Sequence, residues 1–297
     1  MNDILDLTYY PGQDFYCDGE IEDRLLELVQ SGRDVEEILR ENHEWPILYH
    51  LSDMRENVLD WYDFNPDGTL LEIGAGCGAV TGLFCRKVSR VTAVDLSKKR
   101  STINAVRNGS RGNLKIMVGN FEDIVIREKF DYVTLIGVLE YSASYISKGT
   151  NPNLEMLKRA RSFLKPGGKL LIAIENKLGM KYFAGAGEDH TGRPFDGIHG
   201  YQNVNNVYTF SRPEIENLLH EAGFMDNRFY YPMPNYKLPS VIYSDAYLPA
   251  PGAFSREVEC YDRPRYAFFD ENRAYDQVIR DGQFPYFANS FLIVAGE

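Results

Sequence analysis

Glycine recurs at alternate positions in Leu70-Leu71-Glu72-Ile73-Gly74-Ala75-Gly76-Cys77-Gly78-Ala79, after a short apolar run and ahead of a helical pattern set by Val80, Leu83, Phe84 and Val88. Glycines so placed let the chain turn sharply and let a ligand approach the backbone. Amides left open at the start of the next helix favour anionic or hydrogen-bond-accepting groups. Gly74, Gly76 and Ala79 also satisfy a GxGxxA fingerprint. The segment alone therefore admits a nicotinamide or flavin site as readily as another kind of nucleoside site. Asp95 closes the next apolar run, 21 residues beyond Gly74. A carboxylate there can accept from both ribose hydroxyls; the competing reading is a cap for the helix that follows. Asn120 and Phe121 follow a third run, where an amide oxygen can accept from an adenine amino group and a flat ring can pack on the base. Gly137-Val138-Leu139-Glu140 follows a fourth. Proton-transfer chemistry has its candidates in Glu188, Asp189, His190 and His199. His190 comes first, because a neutral imidazole titrates near physiological pH; the competing reading is that it satisfies loop backbone.

The elements that must position these residues follow from periodicity. Apolar runs at 70–73, 91–94, 115–118, 132–136 and 170–174 are short, nearly continuous and flanked by Gly, Asp or Asn. Such strands are buried on both faces, as in a parallel sheet covered by helices. Their alternation with helical patterns predicts an open, doubly wound α/β fold. Residues 1–66 read as mostly helical, with Ile21, Leu25, Leu26 and Val29 on one face and Leu48, Leu51, Met54, Val58 and Trp61 on another, ending at the turn Asn65-Pro66-Asp67-Gly68. Residues 177–210 are rich in Gly and have little periodicity, which suits a lid that closes on an acceptor. Ser211-Arg212-Pro213-Glu214 forms a capping box opening a helix that ends at Gly223. Residues 228–297 are crowded with Phe, Tyr and Pro, which reads as a packed subdomain or as an aromatic-lined acceptor pocket. The run 290–295 is the last strand. The expected organisation is a helical cap over 1–66, a core over 67–235 with 177–210 as lid and acceptor loop, an aromatic-rich insertion over 236–287 and a final strand over 288–297.

Of the 297 residues, 44% are hydrophobic and 25% charged, the balance of a globular chain. No run approaches 18 apolar residues, and the acidic start is unlike a signal peptide, so a cytoplasmic location without membrane contact is expected. The net charge of −11 disfavours nucleic acid as a partner. Lys98-Lys99-Arg100, and Arg107 with Arg111, read as solvated helix faces. Cys17, Cys77, Cys85 and Cys260 form no metal-binding spacing, which points to reduced thiols and no metal.

Taken in order, Glu72-x-Gly74-x-Gly76-x-Gly78, Asp95, Gly119-Asn120-Phe121, Gly137-Val138-Leu139-Glu140 and Leu164-Lys165-Pro166-Gly167-Gly168 resemble a class I S-adenosylmethionine-dependent methyltransferase over residues 50–176. More narrowly, Tyr49-His50-Leu51-Ser52 with Arg55-Glu56-Asn57, Glu175-Asn176-Lys177-Leu178-Gly179 and Glu188-Asp189-His190-Thr191-Gly192-Arg193 resemble bacterial methyltransferases of the kind found with glycan or secondary-metabolite biosynthesis enzymes. The resemblance implies a Rossmann-like sheet of seven strands, the last antiparallel, with S-adenosyl-L-methionine as donor and S-adenosyl-L-homocysteine as product. It implies that Gly74, Ala75, Gly76 and Gly78, with Glu72 nearby, hold the amino-acid end of the cofactor. Asp95 and Leu96 would meet the ribose and Asn120 and Phe121 the adenine. Gly137, Val138 and Glu140 would lie toward the methyl group. His50 and Arg55 are placed to reach the cofactor carboxylate, although Arg55 reads equally well as a surface charge. The expected reaction is in-line O- or N-methylation of a small-molecule or glycan-precursor acceptor, with a homo-oligomer also allowed. A non-catalytic S-adenosylmethionine-binding protein and an NAD-dependent oxidoreductase are the alternatives. The long loop after the fifth strand and the long insertion before the last depart from the family pattern.

Overall fold

The computed structural model describes residues 4–14, 19–147, 149–202, 204, 206–254 and 264–297; Cys17 and Cys260 lie outside them. The chain packs as two compact units, Met1–Ile136 with Ala160–Leu170, and Gly137–Arg159 with Leu171–Glu297.

The first unit opens with strand β1 (Leu5–Tyr9), then helices α1 (Glu20–Gln30), α2 (Val35–Glu41) and α3 (Trp45–Leu51). Strand β2 (Thr69–Ile73), helix α4 (Thr81–Lys87), β3 (Arg90–Asp95), helix α5 (Lys98–Asn108), β4 (Leu114–Gly119) and β5 (Phe130–Ile136) then alternate as expected. The strand order is β1-β4-β3-β2-β5, and the pairings β1·β4, β4·β3, β3·β2 and β2·β5 are all parallel. Leu70, Leu71, Val91, Ala93, Val94, Ile116, Val118, Val133 and Leu135 are all buried, as a sheet covered on both faces requires.

Residues 1–66, expected to be mostly helical, also hold an edge strand, Leu5–Tyr9. Its residues are half-buried or exposed with no clean alternation, so its pattern is faint in the sequence. Asp6 pairs with Lys115 of β4 at 2.8 Å, and this lysine, with Thr8, lowers the Asp6 carboxyl to about 2. The basic cluster at the start of α5 is not a purely solvated face. Arg100 meets the buried Glu22 of α1 at 2.6 Å and Lys99 meets Asp23 at 2.7 Å, while Asp14 accepts the backbone amides of Lys98 and Lys99. These contacts join α1 to α5 beside an apolar cluster of Leu25, Ile38, Ile47, Leu51, Cys77 and Ile103.

The second unit holds α6 (Ser142–Tyr145) and most of α7 (Pro152–Ser162). Strand β6 (Leu164–Glu175) carries the chain from one unit into the other. Helices α8 (Met180–Phe183) and α9 (Arg212–Glu221), strands β7 (Asp226–Met233) and β8 (Val241–Ser244), helices α10 (Glu271–Arg280) and α11 (Phe284–Phe287), and strand β9 (Ser290–Gly296) complete it. The capping box at Ser211 and Glu214 is present. Strand β7 pairs antiparallel with both β9 and β8. The described residues thus hold nine strands rather than seven, the additional two being β1 and β8. Aromatic residues of the C-terminal region fill a core: Phe254 stacks on Phe284 at 5.8 Å, and Tyr275, Tyr231 and Phe291 are fully buried around them.

Leu25 anchors the helices of the first unit to α5. Leu25→Ala is expected to destabilise the chain by about 2–5 kcal/mol, seen as a lower urea midpoint. Lys98→Ala, on the exposed side of the same junction, is expected to stay within about 0.5 kcal/mol.

Candidate functional site: a glycine loop and a buried ionic cluster

The glycine loop leaves β2 at Ile73, and Gly74 and Ala75 donate their amides to the Val94 carbonyl at 2.8 and 3.1 Å. Gly76, Gly78 and Gly74 all have positive φ. Two of them serve different ends. Gly78 has no room for a side chain, since a Cβ would stand 2.3 Å from Asn104 Oδ1 of α5. At Gly76 a Cβ would meet nothing within 4 Å, so its backbone faces open space. The Gly76 amide donates to Asp95 Oδ2 at 2.7 Å, and the Ser97 amide donates to Asp95 Oδ1 at 2.9 Å. The capping of α5 falls to Ser97, which answers the competing reading of Asp95. Burial pushes the Asp95 carboxyl up.

A polar face of α5 holds the loop from beneath. Asn108 donates to the Gly78 carbonyl at 3.1 Å and to Asn104 Oδ1 at 2.9 Å. Asn104 donates to Thr81 Oγ1 at 3.0 Å, and Thr81 donates to Glu72 Oε2 at 2.6 Å. Arg107, read in the sequence as a solvated charge, donates to the Cys77 and His50 carbonyls at 2.8 and 2.7 Å and is itself part of the loop's support. Burial pushes the Glu72 carboxyl up to about 8, against the Thr81 hydrogen bond. Burial, reinforced by Arg100, Arg55 and Arg107, pushes His50 down to about 3, so its neutral ring has an N–H and no charge to offer a carboxylate. Arg55 is buried rather than a surface charge, with its guanidinium 4.4 Å from the Tyr49 ring centre. Leu96 is half-buried between Asp95 and Ser97.

After β4, Asn120 Oδ1 accepts the Glu122 amide at 3.1 Å, closing its own turn. Phe121 is buried with its ring 5.7 Å from Phe163. Gly119 is required by β1: a Cβ would stand 2.7 Å from the Tyr9 carbonyl oxygen.

The remaining expected residues lie in the second unit. Gly137 has φ +69°, and a Cβ there would stand 2.8 Å from the Tyr236 hydroxyl. Val138 accepts the Tyr141 amide through its carbonyl, forming the short turn that buries Glu140. Glu175, a residue the site reading passed over, ends β6 as Asp95 ends β3 and is fully buried. His190 Nε2 lies 3.7 Å from Glu140 Oε1 and 4.0 Å from Glu175 Oε2. Its Nδ1 is 2.8 Å from Glu188 Oε1. Glu188 also accepts the backbone amides of His190 and Thr191 at 2.9 and 2.7 Å and the Tyr201 hydroxyl at 3.1 Å. Asp189 is clamped between Lys181 at 2.6 Å and Lys237 at 2.5 Å, with the Tyr182 hydroxyl also donating to it. Lys237 reaches Glu175 Oε1 at 2.9 Å as well.

This arrangement corrects the general-base assignments. Burial alone would lower His190, but Glu140 and Glu188 outweigh it and hold the imidazole up to about 11, far from physiological pH. Asp189 is buried, yet Lys181 and Lys237 hold its carboxyl well below the usual range. Burial acts against ionised Glu188 too, but His190 and the backbone amides lower it. His199 is exposed beside Phe195 and does not join the cluster. The stretch read as a lid is bonded within itself, Tyr201 to Glu188 and Thr209 and Lys181 to Asp189, and is tied to the body of its own unit by Lys237 on Asp189, by the Tyr208 amide on the Glu140 carbonyl at 2.9 Å and by the Lys181 amide on Asn289 Oδ1 at 3.0 Å. Lys237 had no motif to mark it; Glu175 was signalled only by its place at the end of an apolar strand.

The Glu72 shift has a measurable sign. A carboxyl raised in the folded state contributes stability that is complete below about 4.5 and is lost as pH rises through about 8. Glu72→Gln removes this dependence. The melting temperature of the variant relative to the parent is therefore expected to climb between pH 5 and pH 8 in a thermal-shift series without ligand.

With this geometry in view, comparison with known proteins is informative. A sequence model of the methyltransferase domain family matches residues 47–226, more than half of the chain. The chain is 28% identical over 119 residues to a malonyl-[acyl-carrier protein] O-methyltransferase of Priestia megaterium, a match covering 39% of this chain and 40% of that protein. It is 31% identical over 106 residues to an uncharacterized methyltransferase of Staphylococcus carnosus, covering 36% and 46%. The matched region thus spans less than half the length of either curated relative. Among solved structures, a SAM-dependent methyltransferase of Thermotoga maritima, described as a possible histamine N-methyltransferase, aligns over 91% of this chain and 98% of its own at 17% identity, with a TM-score of 0.47. The CcbJ methyltransferase of Streptomyces caelestis aligns over 82% and 88% at 14% identity, with a TM-score of 0.48. The family match, joined to the ordered motifs and the glycine loop, makes this chain a member of the class I S-adenosylmethionine-dependent methyltransferases.

Proposed function

We propose that this enzyme binds S-adenosylmethionine along the glycine loop and transfers its methyl group to a hydroxyl or amine of a small-molecule or saccharide acceptor. The observation that carries the reading is the Gly76 backbone, open to a ligand on one side and fixed by the half-buried Asp95 carboxylate on the other. Each Asp95 oxygen has one backbone donor and a further lone pair, so ribose hydroxyls can be accepted without breaking either bond. Arg55 is the cation we assign to the carboxylate end. Asn120 and Phe121 are the residues we assign to the adenine edge.

When bound, the donor supplies a methyl group already activated by its sulfonium. What the chain must add is alignment and exclusion of water, and orientation alone can contribute on the order of 7–11 kcal/mol. A fixed loop suits that task, because Asn104, Asn108 and Arg107 leave the backbone around Gly76 little freedom to relax. A neutral amine acceptor needs no base, whereas a hydroxyl does. His190 is not assigned that role, for the reasons of charge given above. The net charge of −11 supports an acceptor that is not a polyanion, as does the use of Arg100 and Arg107 inside the fold. No helix among the described residues is long and apolar enough to cross a membrane. The free, buried thiols of Cys77 and Cys85 support a reducing, cytoplasmic setting.

Calorimetry tests the cofactor reading. S-adenosylhomocysteine is expected to bind at one site per chain, and NAD to give no heat. Asp95→Asn is expected to weaken that binding by about 1.5–3 kcal/mol, the worth of hydrogen bonds to a charged group. Unchanged affinity in this variant overturns the assignment. A screen of acceptor pools with labelled donor, read by mass, then names the acceptor.

A further inference from the structure

We propose that Glu140, Glu175 and His190 form a binding site for one divalent transition-metal cation, with Glu188 fixing the imidazole that ligates it. The inference stands apart from the cofactor reading and runs against the expectation, drawn from cysteine spacing, that the chain binds no metal.

Three separate elements bring the ligands together: the turn after β5, the end of β6 and the loop around residue 190. One ligand atom from each lies within 4.8 Å of the others. The separations of 3.7 and 4.0 Å between His190 Nε2 and the two carboxylates are too long for hydrogen bonds. They match two ligands sharing a metal, since bonds of roughly 2.1 Å place ligand atoms about 3–4 Å apart.

Independent of that spacing, both carboxylates carry unsatisfied oxygens, and that of Glu175, Oε2, is the one that faces His190. Glu140 Oε2 and Glu175 Oε2 have no hydrogen-bond donor, and their residues are 1% and 0% exposed. A buried carboxylate oxygen without a donor is costly, and a cation at this point answers that of Glu175. The imidazole is set up for the same purpose. Glu188 takes the Nδ1 side of the ring and is itself anchored by two backbone amides and the Tyr201 hydroxyl. Nε2 is thereby left facing the two acids, the carboxylate–histidine–metal relay seen around many metal ions. Tyr141 packs edge-on against the ring at 5.1 Å and limits its rotation.

Charge balance points the same way. Among the described residues, Glu140, Glu175, Glu188 and Asp189 face two ammonium groups, Lys181 and Lys237. Two negative charges remain. An imidazolium at His190 offsets one of them, whereas a divalent cation beside a neutral imidazole offsets both. Two carboxylates with one imidazole suit Mn²⁺, Fe²⁺ or Zn²⁺ better than Ca²⁺ or Mg²⁺. Three protein ligands are also the number found where a metal keeps a position open for water or substrate.

The test is a Mn²⁺ titration of the chelator-treated chain, followed by electron paramagnetic resonance of the free ion. One site per chain is expected, with Zn²⁺ displacing the Mn²⁺. Glu175→Gln is expected to lower affinity at least tenfold, and Glu188→Gln by about 10–100-fold, in chains shown to be folded by near-ultraviolet circular dichroism. The parent titration decides alone if a variant does not fold. A free-ion signal undiminished by excess parent chain overturns the proposal. So does unchanged Mn²⁺ affinity in folded Glu175→Gln. In either case His190 is an imidazolium bridging the acids and nothing more.

Discussion

The Gly76 amide and the Asp95 carboxylate meet at 2.7 Å, and the first unit is arranged around that contact. It fixes the distance between the end of β3 and the bend after β2. The bond is charge-assisted and partly buried, where such bonds are stronger than in water and costlier to leave unmade. Asp95 is retained at the cost of desolvation because two amides, from Gly76 and Ser97, meet its oxygens. The asparagines of α5 then prevent the loop from sagging toward the helix, and Gly78 is the position where that helix comes closest.

Both units bury more charge than a core built for stability alone would hold. In the first, Glu22 and Arg100 pair between α1 and α5, while Glu72 lies buried beside the Thr81 hydroxyl with its carboxyl pushed up to about 8. In the second, Lys181 and Lys237 hold the Asp189 carboxyl, and His190 with two backbone amides the Glu188 carboxyl, below the usual carboxylate range. Ion pairs of this kind rarely add net stability over a hydrophobic replacement. Their worth lies in geometry, because a carboxylate with several donors has few orientations left.

The sequence made the parallel strands legible because a sheet buried on both faces writes itself as continuous apolar runs. Asp95 and Ser211 were legible because strand ends and helix starts demand particular side chains. Strand β1 was not, since an edge strand with half-exposed residues has no strong period. Arg100 and Arg107 were misjudged for a different reason: a helix shows which face is charged but not what lies opposite. His190 shows the limit most clearly. Its type suggested a base near neutrality, but its proton affinity is set by Glu140, Glu175 and Glu188, two of them far away in the chain. Lys237 carried no local mark at all.

The pairing of β1 with β4 also bears on how the chain avoids sticking to itself. An open sheet edge offers unpaired amides and carbonyls to any neighbouring strand. Here that edge is handed to a strand of five residues that carries Asp6, held ionised by Lys115. Adding another strand alongside would bring backbone up against this charge pair, so the outermost ribbon is a poor template for aggregation.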